Sequence, residues 1–147
     1  MKKLSVACDH AGVTLKNEII IDLKVRGWQV IDHGTDSTAS VDYPDFAALV
    51  AGDVQSKKCD CGILICGTGI GMAIAANKFK GVRAASLTDI YSTRLTRQHN
   101  DLNVLCLGAR VIGTGMALAI VDTFLNTGFE GGRHQKRVEK MMGSGDC

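Results

Sequence analysis

Proline occurs once in the 147 residues, at Pro44. No linker, internal repeat or low-complexity tract breaks the chain, so the sequence predicts one domain spanning residues 1–147. No apolar run approaches the ~20 residues that span a bilayer, which excludes a membrane-spanning helix. Charge of one sign is also scarce. The 17 Lys and Arg stand against 15 Asp and Glu, a net +2. That is too little to draw the chain to nucleic acid or to an anionic membrane, so any basic function has to be local. The start of the chain offers no secretory leader. Met1-Lys2-Lys3 is followed by five apolar or small residues before Asp9, and the cytoplasm is the expected location.

Cysteine is present, but a disulfide pattern is not. The six cysteines are Cys8, Cys59, Cys61, Cys66, Cys106 and Cys147, a spacing unlike the framework of a small secreted module. Cys59-Asp60-Cys61 is CxC with no second pair to match it, which leaves a zinc site thinly supported. Cys8, Cys61 and Cys106 are expected to pack as small apolar residues in strands.

What the chain does have is apolar substance, 46% of it, enough for a real core. Short apolar runs alternate with helical patterns. Strands are predicted at 4–8, 28–32, 61–65, 82–86 and 104–107. Helices are predicted at about 13–26, 42–55, 70–78, 89–97 and 116–125, with a basic helix at about 133–142 and a frayed tail at 143–147. Gly27 stops the first helix, and Pro44 suits the first turn of the second. The alternation predicts an α/β fold: a single Rossmann-like, three-layer αβα domain with a five-stranded parallel sheet.

In such sheets ligands bind at the carboxyl ends of the strands. Asp9-His10 follows the first strand, and Gly108-Ala109-Arg110 follows the fifth. Cys66-Gly67-Thr68-Gly69-Ile70-Gly71 follows the third. GTGIG is not GxGxxG, and no P-loop lysine follows it. Its glycines let backbone N–H groups point into a cleft at a helix start, where they stabilise a phosphate or a transient oxyanion. The competing reading is a tight turn with no ligand.

Cys66 opens that turn. Thiols ordinarily titrate near 8.5, and helix N-termini lower such values. A thiolate there would serve as nucleophile or base, against the alternative of an inert buried cysteine. His99 sits in the polar cluster Arg97-Gln98-His99-Asn100-Asp101, where an imidazole either carries protons near neutral pH or merely caps the helix. Arg133 and Arg137 stand one helical turn apart and suit a phosphate, or simply a solvated helix face.

Taken in order, "ACDHAG" (7–12), "DYP" (42–44), "GILICGTGIG" (62–71), "AANK" (75–78), "TRQHND" (96–101), "GAR" (108–110) and "EGGRHQKRVE" (130–139) resemble the ribose-5-phosphate isomerase B family, which includes galactose 6-phosphate and allose 6-phosphate isomerases. The resemblance runs over nearly the whole chain. It implies an aldose–ketose isomerase that interconverts ribose 5-phosphate and ribulose 5-phosphate through an enediolate, with no cofactor and no metal. By the same resemblance Cys66 is the base, His99 opens the sugar ring, and Thr68 and Asp9 join them as catalytic candidates. Gly67, Thr68, Gly69, Ile70 and Gly71 surround the enediolate oxygens. Asp9, His10, Tyr43 and Asn100 hold the sugar, and Arg110, Arg133 and Arg137 hold the phosphate. One branch of the family uses a glutamate just past the glycine loop instead of the cysteine. Met72 stands there and cannot take a proton, which puts this chain with the cysteine branch. The resemblance further implies a homodimer or homotetramer with active sites at the subunit interface. The alternatives are an isomerase of a six-carbon sugar phosphate, a non-catalytic phosphosugar- or nucleotide-binding module on the same fold, and a zinc enzyme.

Overall fold

The structure, a computed structural model, describes residues 2–143; of the expected frayed tail, residues 144–147 lie outside the described residues. Five strands and six helices alternate: β1 (Lys3–Cys8), α1 (Val13–Val25), β2 (Gln29–Asp32), α2 (Tyr43–Gln55), β3 (Cys61–Cys66), α3 (Ile70–Ala76), β4 (Ala84–Ser86), α4 (Ile90–Asn100), β5 (Val104–Gly108), α5 (Thr114–Asn126) and α6 (Arg133–Gly143). The sheet has the order β2-β1-β3-β5-β4, and every pairing is parallel. β3 is therefore central.

Strand alternation sorts the core into two layers. Leu4, Val6, Ile63, Ile65, Leu105 and Leu107 face α1 and α5, where Ile19, Leu23, Ile120 and Val121 meet them. Ala7, Leu64, Cys66, Val104 and Cys106 face the other way, toward Val50, Ala51, Met72 and Ala76 of α2 and α3. Each fully buried Leu or Ile contributes about 1.5–3 kcal/mol. α4 lies beside α5, and α6 packs on α4.

Several boundaries depart from the periodicity. α3 stops at Ala76, short of the expected Lys78, because the Asn77 amide donates to the Ala84 carbonyl and accepts from the Ala84 N–H, both at 2.8 Å. β4 keeps only three residues, and Gly81, with φ of 80°, turns the chain into it. α4 runs on to Asn100, so that His99 and Asn100 lie in its last turn.

Two polar clusters, each built around one buried charge, brace the sheet. Lys16 is wholly buried, yet its Nζ is 2.8 Å from Asp32 Oδ2 and 2.8 Å from Asp36 Oδ1. Burial works to lower its pKa, but the hydrogen bonds to Asp32 and Asp36 outweigh it and raise the value. On the other face the buried Asp53 accepts from Ser5 Oγ at 2.8 Å and Lys58 Nζ at 3.0 Å, with His33 Nε2 at 2.7 Å. Burial works to raise the Asp53 pKa, and the bonds from His33, Lys58 and Ser5 more than reverse it. The aspartate is held in its charged form.

Candidate active site

The strand order reverses between β1 and β3, and a crevice opens at their carboxyl ends, where ligands bind in such sheets. Cys66, the last residue of β3, is 5% exposed. The chain then has to leave the sheet within three residues to start α3. Gly69 does this at φ of 77°, a left-handed conformation. A Cβ there would also stand 2.6 Å from Ser86 Oγ and 2.9 Å from the Leu107 carbonyl carbon. Conformation and space both demand glycine.

The turn aims its backbone inward. The Gly69 N–H donates to Cys66 Sγ at 3.1 Å. The Ile70 N–H donates to Thr68 Oγ1 at 3.2 Å. The loop is tied to the end of β5, where the Ala109 N–H donates to the Cys66 carbonyl at 2.8 Å and the Arg110 N–H to the Gly67 carbonyl at 3.0 Å. α3 has only seven residues, so the nearby N–H groups stabilise charge here rather than a long helix dipole.

Around the loop stand the other residues expected at this rim. Asp9, also buried, accepts the Ala11 N–H through Oδ1 at 2.9 Å. His10 accepts the Val41 N–H through Nδ1 at 3.2 Å, which puts the proton of its neutral ring on Nε2. Tyr43 fits against Gly71, where a Cβ would strike its ring at 2.7 Å. The Arg110 side chain lies beside Gly67, its Nη1 3.3 Å from the position a Cβ would take. Asp9, Tyr43, Cys66, Thr68 and Ile74 are among the residues that line an open cleft of about 460 Å³, within the size range of small-ligand sites.

The remaining candidates lie elsewhere. α4 starts at the carboxyl rim, where the Asp89 carboxylate caps it through the Ser92 N–H at 2.7 Å. It runs back to the opposite rim, and Asp101 just beyond it pairs with Arg83 at 2.9 Å. His99 and Asn100 are therefore at the far end of the sheet from Cys66. Arg133 and Arg137 go with them on α6, both exposed. One chain brings together Asp9, His10, Tyr43, Arg110 and residues 66–71, but not His99, Asn100, Arg133 or Arg137.

The sequence of the Ribose/Galactose Isomerase family matches residues 4–141. The chain is 54% identical over 139 residues to ribose-5-phosphate isomerase B of Escherichia coli (strain K12), covering 95% of this chain and 93% of that one. The solved ribose-5-phosphate isomerase B of Clostridium thermocellum superposes with a TM-score of 0.95 at 54% identity, over 96% of this chain and 95% of that one. That of Mycoplasma genitalium, solved with bound ribulose-5-phosphate, superposes at 0.92 with 47% identity, over 95% and 93%. The chain belongs to the ribose/galactose isomerase family.

Within this family member the far rim has its own order. The His99 and His134 rings stack at 4.2 Å, only 9° from parallel. Glu130 Oε2 lies 3.6 Å from His134 Nε2 and 4.0 Å from His99 Nε2. Burial lowers the His134 pKa, and the neighbouring His99 and Arg133 lower it further against the pull of Glu130. His99, Glu130 and His134 form the one group of potential metal ligands among the described residues. Lone pairs lie in the ring planes, and nearly parallel planes do not meet at a common ion. Arg133 and Arg137 beside them suit an anion instead.

Burial pushes the Cys8 and Cys61 thiols up to about 12 and raises Cys59 and Cys106 as well. These four pack as inert groups. Cys147 lies outside the described residues. Sequence reasoning passed over His134 and Glu130, although both fall in the stretch at 130–139, and over Ser86. Ser86 ends a strand at the carboxyl rim, and that position was the signal.

Proposed function

We propose that the chain is an aldose–ketose isomerase that interconverts ribose 5-phosphate and ribulose 5-phosphate through an enediolate, with Cys66 as the base. The observation that carries this is the pairing of the Cys66 sulfur with an inward-facing N–H of the next turn, inside a cleft that also holds Asp9. Cys66 as thiolate takes the proton from C2 of the open-chain aldose. The C2–H electron pair forms the C1–C2 double bond, and the C1 carbonyl becomes an oxyanion. The N–H groups of the 67–71 loop receive that charge, each such donor being worth about 3–4 kcal/mol. The Cys66 thiol returns the proton to C1 as the carbonyl re-forms at C2. Thr68 and Asp9 are placed to move the proton between the two oxygens, and His10 and Tyr43 hold the sugar.

The cleft is half of a site. Its rim carries exposed apolar groups, Ile70 at 55% and Ile74 at 59%, which a second copy would cover. In this reading the second copy brings His99 to open the furanose ring, Asn100 to hold the sugar, and Arg133 and Arg137 to join Arg110 on the phosphate. The assembly is a homodimer or a pair of dimers. Among the described residues no helix is long and apolar enough to cross a membrane, and we assign the chain to the cytoplasm, where sugar phosphates are handled.

The test is direct. Purified protein is mixed with ribose 5-phosphate, allose 6-phosphate or galactose 6-phosphate, with and without EDTA, and ketose formation is followed. Rapid production of ribulose 5-phosphate that EDTA leaves unchanged supports the proposal. Preference for a six-carbon phosphate, or binding without turnover, overturns it.

A further inference from the structure

Ser86 is the last residue of β4, two strands away from Cys66 in the sheet. It lies half-buried under the glycine loop. Its Oγ donates to the Thr68 carbonyl at 3.0 Å. That carbonyl belongs to the same peptide unit as the Gly69 N–H, which donates to Cys66 Sγ at 3.1 Å. A trans peptide points its C=O and N–H in opposite directions. Holding one end therefore aims the other.

The loop needs holding. The 68–69 peptide precedes a glycine, which tolerates φ of either sign. If this unit rotated by half a turn, the Thr68 carbonyl would face the sulfur in place of the N–H, and the thiolate would meet a negative dipole. Ser86 Oγ lies directly against Gly69, 2.6 Å from where a Cβ would stand, so the bond to the Thr68 carbonyl forms at the loop itself.

We propose that Ser86 is a positioning residue for the isomerase reaction: through the Thr68 carbonyl it holds the Gly69 N–H on the Cys66 sulfur and so sets the reactivity of the base. This rests on the assignment of Cys66 as base, but its test does not. Titratable or charged groups near the sulfur include Asp9 after β1 and Tyr43 at the start of α2, which share its cleft, and Cys106 and Arg110 from β5 and its exit. α3 contributes none. Replacing Ser86 leaves all of these in place.

The experiment measures iodoacetamide alkylation of Cys66 against pH, read by peptide mass spectrometry, in the wild type, Ser86→Ala and Ser86→Thr. In Ser86→Ala the pH midpoint for Cys66 moves upward and the alkylation rate at pH 7 falls about two- to tenfold, the range of one hydrogen bond. kcat falls by a similar factor while KM stays within about twofold, since the substrate contacts are intact. Ser86→Thr keeps a hydroxyl and stays near the wild-type midpoint. An unmoved midpoint in Ser86→Ala overturns the proposal, even where the variant melts earlier or turns over more slowly. Full turnover by Cys66→Ala would sink the assignment of the base separately, without touching the alkylation result.

Discussion

At the carboxyl rim of the sheet the polar groups that matter are mostly backbone. Cys66 is met by the Gly69 N–H, and the loop is anchored by N–H groups of residues 109 and 110. At the opposite rim they are side chains. His99 and His134 stack, Glu130 bridges them, and Arg133 and Arg137 project from one helix. A backbone N–H cannot titrate, and here it is held in place by its own peptide's contacts, so it suits charge that appears only in the transition state. Imidazole and guanidinium groups suit charge that is present in the substrate beforehand, or a proton that has to be handed on. In the proposed mechanism the two rims divide the chemistry by the timing of the charge they meet.

Removing the sulfur is the hardest test of this division. Cys66→Ala should lower kcat by about 10²–10⁴-fold, the usual worth of a positioned base, and leave the Kd for ribulose 5-phosphate within a few-fold by calorimetry. Near-normal turnover would break the comparison at once. Mixing chains sharpens it. Inactive Cys66→Ala and inactive Arg133→Ala/Arg137→Ala chains, allowed to exchange subunits, should regain about a quarter of wild-type activity. Half of the dimers are then mixed, and each of these has one intact site of two. No recovery despite exchange seen by native mass spectrometry would mean that both rims of one copy serve one site.

Arg137→Ala should raise KM for ribose 5-phosphate by about 10–100-fold, because a charged hydrogen bond is worth about 1.5–3 kcal/mol. Loss through kcat alone would place Arg137 away from the phosphate. The smallest effect concerns stability rather than turnover. Asp53→Asn should cost about 1–3 kcal/mol at pH 7, measured by urea unfolding. The Asp53 pKa is depressed in the folded state. Its contribution is thus complete above the unfolded value of about 3.9 and is lost as pH falls through the folded value. The variant and the wild type should converge in acid. A gap that persists at pH 2 would show that the network acts by packing.

The fold was legible because apolar runs and helical spacings repeat regularly, and each strand is only a few residues long. Element ends were less so. Asn77 closes α3 by pairing with Ala84, a contact that spacing along the chain does not reveal. The strand order was equally hidden, since β4 reaches the edge only by passing β5. Lys16 shares the buried face of α1 with Ile19, Ile20 and Leu23, where a charge is not expected, and its partners Asp32 and Asp36 are distant in sequence. At the site, the rim rule found Asp9, Cys66 and Arg110. His99 and the α6 arginines came instead from the family resemblance, which implies sites at a subunit interface; spacing alone did not show that α4 carries His99 away from Cys66. Ser86 escaped because its partner is a backbone carbonyl, which no side-chain motif records.

The buried Lys16 amine has a consequence for the chain's history. Its Nζ is fully enclosed and held by two carboxylates, so acylating and carbamylating reagents reach it only when α1 comes off the sheet. A modification found at Lys16 therefore dates from before folding or from an opening of that whole layer. Modifications on exposed lysines carry no such date. The residue keeps a chemical record of whether a given molecule has ever been unfolded in the presence of the reagent.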